Sequence, residues 1–183
     1  MTARPKLNAA RVRELLDCNP ETGQLWWKER PGNPSFNAQF AGKLAGKADP
    51  STGYLRLMID GTHQYVHRMV WLHVQGRLPR GDLDHIDGDE TNCAISNLRS
   101  ATRAQNNCNR RTVERKTCGP RGAWLNPKTG KFQVSIWSGG RSIYLGAFRD
   151  PAAAERAYRD AAEELHGEFA FSARPGAELR EAA

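Results

Sequence analysis

Apolar and polar residues alternate with the period of a β-strand in two parts of the chain. Residues 54–59 alternate in this way, and Asp60-Gly61, which favours a two-residue hairpin turn, leads into residues 62–66. A second alternating segment covers residues 131–137 and lies between shorter apolar stretches at 123–125 and 143–148. The pattern predicts a hairpin in the first half of the chain and a three-stranded antiparallel meander in the second half.

Helical spacing marks three further segments. Asn8 is a good cap for a short helix that ends at the turn residues 19–23. Residues 66–74 place apolar side chains on one helical face and end at Gly76. Asp150-Pro151 begins a third helix, whose apolar stripe consists of Ala154, Ala157, Tyr158, Ala161 and Leu165.

The remaining N-terminal segments carry weaker signals. Residues 24–28 predict a strand, and residues 31–50, rich in Gly, Pro, Asn and Ala, predict a loop with at most one short strand. Together these elements predict an α+β protein in which a mixed region of helices and short strands precedes a small three-stranded antiparallel sheet packed on one helix.

The stretch from residue 83 to residue 106 combines the side chains that metal-assisted hydrolysis requires. Asp84 and His85 place a hard-cation ligand and a proton acceptor on adjacent residues. Short antiparallel strands at 83–86 and 95–99, followed by a helix beginning near Thr102, would bring Asn106 back toward Asp84. Two oxygen ligands are enough for an ion of the magnesium kind, which keeps several of its waters.

This stretch resembles the HNH nucleases, and in particular their phage-type homing branch, through Asp84-His85, Asn97-Leu98-Arg99 and the spacing from Thr102 to Asn106. The resemblance implies a β-hairpin followed by a helix, known as the ββα-metal fold. It implies that Asp84 and Asn106 bind one divalent cation, Mg2+ or Mn2+, that His85 is the general base, and that Asn97 braces the hairpin. The last position of the family motif is often His, and the neighbouring Asn107 leaves the second ligand open between two residues.

The same region allows other interpretations. Asp87, Asp89 and Glu90 are interpreted as an ordinary solvated acidic loop, and a calcium loop is disfavoured because its glutamate position is occupied by Ile95. His67-Arg68 resembles a His-Arg pair of the family that approaches a phosphate. A second metal on His63 and His67 is disfavoured relative to simple packing.

Charge narrows the choice of partner. The chain has 183 residues, a formal net charge of +7 and a sequence pI near 9.5, which suits a polyanion. Residues 99–131 contain nine basic residues and one acidic residue, whereas the segment from residue 150 to the end is net −4. A basic linker after the nuclease helix, including Arg110 and Arg111, is placed to follow a DNA backbone.

The segment from residue 121 to residue 171 resembles an AP2/ERF DNA-binding domain, through Arg121-Gly122-Ala123-Trp124, residues 144–148 and the alanine-rich helix. In that family the open face of the sheet lies in the major groove. The resemblance and the alternation give as DNA-binding candidates Arg121, Trp124, Asn126, Lys131, Ser135, Trp137, Ser142 and Tyr144. Several of these positions carry Arg in plant members, so the plant recognition sequence does not transfer, and a stabilising cross-strand pair of Trp137 and Tyr144 is the alternative.

Cysteine usage and hydropathy predict the compartment. The four cysteines show no CxxC pairing and are predicted to be reduced, and neither a signal-peptide core nor a membrane-spanning run is present in the sequence. The expected location is the cytoplasm, with no obligate protein partner. The predicted divisions are residues 1–53 and 54–110 for the nuclease module and its core, 111–120 for the linker, 121–172 for the AP2-like domain and 173–183 for the tail.

The sequence thus predicts a phage-type or homing endonuclease that hydrolyses phosphodiester bonds in double-stranded DNA, positioned by its C-terminal domain. A sequence-specific DNA-binding regulator with a vestigial HNH module is the main alternative. An RNA-binding or structural protein of a mobile element accounts only for the charge.

Overall fold

The computed structural model describes residues 7–109 and 120–170 and divides the chain into two units, residues 1–102 and 103–183. The first unit begins with helix α1 (Ala9–Leu15). As predicted, the Asn8 side chain caps α1 by accepting a hydrogen bond from the Arg11 amide at 2.9 Å. The helix does not continue to residue 19, because the chain extends at Leu16 to form strand β1 (Leu16–Asn19). Strand β1 pairs with β2 (Gln24–Trp27).

The segment predicted as a loop contains a helix, α2 (Pro34–Phe40), and a two-residue strand, β3 (Lys47–Ala48). The expectation of a loop was wrong because Asn33 caps the helix and Pro34 occupies its first turn, where proline is tolerated. Phe36 then packs edge-on against Trp27, with ring centroids 5.6 Å apart. Tertiary packing therefore orders a segment of loop-like composition.

The predicted hairpin and the helix after it are confirmed. Strands β4 (Leu55–Ile59) and β5 (Thr62–Tyr65) join at Asp60 and Gly61, both with positive φ as this type of turn requires. Helix α3 (Val66–Gln75) follows and ends at Gly76 in the left-handed conformation. Its fully buried Met69 and Val70 join the hydrophobic core of this unit.

The hairpin that carries the predicted site is formed by β6 (Asp82–His85) and β7 (Leu98–Ala101). The predicted second strand, residues 95–99, was placed too early, because Ile95–Asn97 form a 3-10 turn before β7 begins. Helix α4 (Arg103–Asn109) follows in the chain and is counted with the second unit.

Gly23, in the turn between β1 and β2, lies against the loop that joins β6 to β7. Its φ is +68°, and a Cβ added there would lie 2.0 Å from the carbonyl carbon of Cys93. Nearby, the Ile95 amide donates a hydrogen bond to the Pro20 carbonyl oxygen at 2.9 Å. The N-terminal hairpin therefore supports the backbone of this loop.

The second unit contains the predicted meander of β8 (Ala123–Asn126), β9 (Lys131–Ser138) and β10 (Arg141–Phe148), with β9 in the centre. Helix α5 (Pro151–His166) contacts β9 and β10, and Asp150 caps it through two backbone amides. Ala154 and Ala162 of this helix are buried, but Leu165, predicted in the apolar stripe, is 40% exposed. The α+β class is confirmed in that helices accompany sheets whose described strand pairs are all antiparallel.

The expectations about cysteines and membrane spans can be compared with the structure only for the described residues. Cys18, Cys93 and Cys108 are free thiols, and Cys118 lies outside the described residues. Across residues 7–109 and 120–170, every helix is too short or too polar to cross a membrane.

Candidate active site and nucleic-acid surface

His85 occupies the end of β6 and is 4% exposed. Its ring packs among aromatic neighbours, 5.8 Å from the Tyr54 ring and 4.9 Å from the His67 ring between centroids. Burial lowers the pKa of His85 below its usual value, although the carboxylates of Asp87 and Asp84 act to raise it. The imidazole is therefore held neutral near pH 7, in the form that can accept a proton.

Asn97 closes the loop that follows His85. Its side-chain oxygen accepts a hydrogen bond from the Asp87 amide at 3.1 Å, and its Nδ2 donates to Asp87 Oδ1 at 2.9 Å and to the Asn92 carbonyl oxygen at 2.8 Å. Its own carbonyl oxygen accepts from the Ile86 amide at 2.8 Å. This pattern fixes the backbone directly after His85, which is the chemistry that a bracing residue needs.

Asp87 belongs to the same network, so its interpretation as an ordinary solvated residue was wrong. The half-buried carboxylate accepts hydrogen bonds from Asn97, from Asn92 Nδ2 at 2.6 Å and from the Asp89 amide at 2.8 Å. Asp89 in turn accepts from the amide and hydroxyl of Thr91. These carboxylates order the turns of the loop, a use that sequence spacing alone did not reveal.

Asp84 lies directly opposite Arg99 in the β6–β7 ladder. Its Oδ2 accepts a hydrogen bond from Arg99 Nε at 2.8 Å and lies in ion-pair contact with Arg99 Nη2, also at 2.8 Å, and both side chains are largely buried. The sequence analysis did not assign a role to Arg99. The signal that could have found it is the cross-strand register, because opposite charges facing each other across a strand pair attract.

His67, predicted to approach a phosphate, is in the first turn of α3 and is 6% exposed. Its ring contacts those of Tyr54, Tyr65 and His85, with centroid distances of 5.5, 5.5 and 4.9 Å. Within the described residues its Nδ1 is buried without a hydrogen-bond partner. Its neighbour Arg68 is half-buried and His63 is exposed on β5. The structure thus places one predicted contact residue against the predicted base, and the phosphate contact stays a prediction.

Acid is expected to destabilise the first unit through His67. Burial, with smaller effects of His85 and Arg68, lowers the pKa of His67 to about 3, whereas the unfolded chain has the ordinary value of about 6.5. The unfolded state therefore binds more protons between these values, so the stability held by neutral His67 is complete above about pH 6.5 and is lost as the pH falls. His67→Phe keeps a ring but cannot titrate. Its free energy of unfolding should fall roughly 1–2 kcal/mol less than that of the wild type between pH 7 and pH 5.

Urea unfolding at the two pH values measures this difference, with His63→Gln as the control at an exposed histidine of the same unit. Equal losses in the wild type and His67→Phe would contradict the role given to His67.

Asn106 and Asn107 both lie in α4, where Asn106 is half-buried and Asn107 is exposed. An amide oxygen here and the carboxylate of Asp84 are donors of the type that a hard divalent cation prefers. In the described parts of the chain, no three His, Cys, Asp or Glu side chains form a metal-binding group. A magnesium-like ion does not require one, because water and substrate oxygens complete its shell, so this donor chemistry fits the predicted cation.

The open face of the sheet in the second unit displays large aromatic side chains. Trp124 is 57% exposed, Trp137 is 66% exposed and Tyr144 is 63% exposed, whereas Val134 and Ile136 of β9 are buried on the other face. Trp137 is directly opposite Ser142, and Tyr144 is directly opposite Ser135. Among the described residues, no ring contact joins Trp137 to Tyr144, so the alternative of a stabilising aromatic pair was wrong.

Two of the polar candidates are used inside the unit. The half-buried Arg121 donates through Nη2 to the Cys108 carbonyl oxygen at 3.0 Å and lies 5.7 Å from the centre of the Tyr158 ring. Asn126 caps the turn after β8, with its side-chain oxygen accepting from the Lys128 amide at 3.0 Å. Lys131 is half-buried and the two serines are exposed, while Arg110 and Arg111 lie outside the described residues.

Charge in the second unit is divided along the chain. Residues 120–149, which form the sheet and its turns, contain no acidic residue and five basic ones, namely Arg121, Lys128, Lys131, Arg141 and Arg149. Residues 150–170, which form α5 and its cap, contain six acidic residues and two arginines. The positive potential is therefore concentrated on the sheet and away from the helix, which suits a polyanion at the sheet.

Comparison with known proteins defines the class. A family model described as HNH endonuclease matches residues 64–108, which run from β5 through α3 and the β6–β7 hairpin into α4. Protein 3.8 of Escherichia phage T7 is 30% identical over 105 residues, covering 57% of this chain and 86% of that protein. The chain belongs to the HNH endonuclease family.

A solved structure provides a second comparison. It is described as DNA binding and cleavage by the HNH homing endonuclease I-HmuI and is 26% identical, with a TM-score of 0.36. The similarity covers 50% of the present chain and 49% of the homing-endonuclease chain, so the present chain spans about half the length of that structure.

Proposed function

We propose that this protein is a metal-dependent endonuclease that hydrolyses phosphodiester bonds in double-stranded DNA. The observation that carries the proposal is the buried, neutral His85 beside Asp84, on a hairpin braced by Asn97, in a chain of the HNH endonuclease family. The relationship to a phage T7 protein supports a phage-type or mobile-element enzyme.

In this mechanism His85 accepts a proton from the water that attacks the scissile phosphorus. Asn97 holds the loop after β6, so that the imidazole stays in place while it takes up the proton. Asp84 and Asn106 would hold the divalent cation, Mg2+ or Mn2+. When bound, the cation would supply positive charge that stabilises the phosphate oxygens and the departing 3′-oxygen. Cleavage at that bond gives a product with a 5′-phosphate.

Purified full-length protein incubated with supercoiled plasmid tests this function. Nicking or linearisation that requires Mg2+ or Mn2+, stops with EDTA and is lost in an Asp84→Ala, His85→Ala double variant is the expected result. Binding without any cleavage, on DNA that includes the source genome, would overturn the nuclease and favour the regulator.

We further propose that the second unit is an AP2-like module that positions the nuclease through the open face of its sheet. Support comes from the three exposed aromatic rings and from the basic sheet with its acidic covering helix. Aromatic rings with nearby cations are the usual anchors of an interface with DNA, where they contact bases and sugars while the cations meet phosphates.

Trp137→Ala is expected to weaken binding to duplex DNA by roughly tenfold, because it removes a large exposed ring from the open face of the sheet. A gel-shift titration measures the affinity. Leu165→Ala is the matched control, since Leu165 is an exposed apolar residue of the same unit on α5. Equal affinities for the two variants would show that the aromatic face is not the binding surface.

A further inference from the structure

The buried ion pair between Asp84 and Arg99 has a consequence for the predicted cation site. Arg99 Nε donates a hydrogen bond to Asp84 Oδ2 at 2.8 Å, and Arg99 Nη2 makes an ion-pair contact with the same oxygen at 2.8 Å. The side chains are only 6% and 12% exposed, so solvent screens this pair poorly. The carboxylate is therefore already neutralised by a guanidinium that cannot lose its proton.

A divalent cation on Asp84 has to share this carboxylate with Arg99. The two positive groups would lie close together in a poorly screened region, where like charges repel strongly. A phosphate group has the opposite effect, because its negative charge attracts both the cation and the guanidinium. The cation and the phosphate are therefore expected to bind better together than separately.

We propose that Arg99 is a positioning residue that keeps cation affinity low until a DNA phosphate is bound, so that cation and DNA load cooperatively. This inference rests on the proposed function for the identity of the anion. By thermodynamic linkage, the factor by which DNA tightens cation binding must equal the factor by which the cation tightens DNA binding. Arg99 would thereby restrict the loaded site to protein that is already on DNA.

The test is a titration of the full-length protein with Mn2+ in the absence of DNA, in which isothermal titration calorimetry measures the Mn2+ affinity. Arg99→Gln removes the charge and is expected to bind Mn2+ at least about tenfold more tightly than the wild type. Arg99→Lys keeps the charge and should stay close to the wild type. Unchanged or weaker Mn2+ binding by Arg99→Gln would overturn the proposal and leave Arg99 as a structural brace.

A matched control is provided by Arg11, which makes a comparable two-point ion pair with Asp60, at 3.0 and 2.8 Å, on α1 and the β4–β5 turn. Arg11→Gln should leave Mn2+ affinity unchanged. Thermal unfolding shows whether each variant is folded. If Arg99→Gln does not fold, the wild-type protein still tests whether cation and DNA bind cooperatively. Its affinity for a short DNA duplex is measured in Ca2+, which prevents turnover, and in EDTA. Binding must be tighter in Ca2+, and equal affinities would overturn the proposal.

These readouts are separate from cleavage. Tighter Mn2+ binding by Arg99→Gln in a protein that never cuts DNA would support the charge effect of Arg99 and reject the nuclease. Metal-dependent cleavage without tighter Mn2+ binding by Arg99→Gln would support the nuclease and reject the charge effect of Arg99.

Discussion

Replacing His85 by alanine is expected to reduce the rate of plasmid cleavage by about 10²–10⁴-fold, the usual loss when a general base is removed. The physical reason is the position of the ring, which is held against Tyr54 and His67 and kept neutral by burial. His67 is buried among the same rings, but it lies on α3, whereas His85 directly follows Asp84 on β6. Initial rates of nicking, measured on gels with saturating Mg2+, determine the effect.

Two controls give this result its meaning. His63→Ala changes an exposed histidine of the same unit and should cleave at the wild-type rate. The His85→Ala protein should still shift duplex DNA and unfold cooperatively, because the loss is chemical. Cleavage within a few-fold of the wild type would remove His85 from the role of base.

Asn97→Asp is expected to lower the free energy of unfolding by about 3 kcal/mol, the largest stability effect predicted for the site. Asn97 is 9% exposed, and its Nδ2 donates both to Asp87 Oδ1 and to the Asn92 carbonyl oxygen. An added carboxylate would set two negative groups against each other and leave a carbonyl without its donor. Urea unfolding measures the loss, and cleavage should fall with it.

The compensating variant identifies the cause. Adding Asp87→Asn to Asn97→Asp restores one donor and removes one charge, so part of the lost stability should return. The loss should also shrink in acid, because the introduced carboxylate is more easily protonated beside Asp87 than in the unfolded chain, and protonation relieves the repulsion. A single variant as stable as the wild type would show that the hydrogen bonds of Asn97 do not brace the loop.

Elements with strong local signals were predictable from sequence. The positive-φ turn at Asp60-Gly61, the α3 helix ending at Gly76 and the capped helix beginning after Asp150 all depend on nearby residues. Helix α2 was not, because its cap at Asn33 is outweighed by the surrounding Gly and Pro and its order depends on contact between Phe36 and Trp27. Local chemistry and tertiary packing gave opposite indications there.

The site shows the same division. The chemical types of Asp84, His85 and Asn97 were recognisable from the motif, and the structure adds the burial of His85 and the hydrogen bonds of Asn97. Arg99 was missed because its role depends on which residue faces Asp84, and the predicted second strand began too early, at residues that form the 3-10 turn before β7. Cross-strand partners follow from the pairing register, which the sequence pattern of two such short strands did not specify.

The close approach of Gly23 to Cys93 bears on how this nuclease can be recombined. The matched family segment, residues 64–108, contains the chemical residues but not the turn on which their loop rests. A fusion that transplanted only that segment would separate the loop from its support. A transferable form of the proposed nuclease is therefore expected to begin at α1 rather than at residue 64.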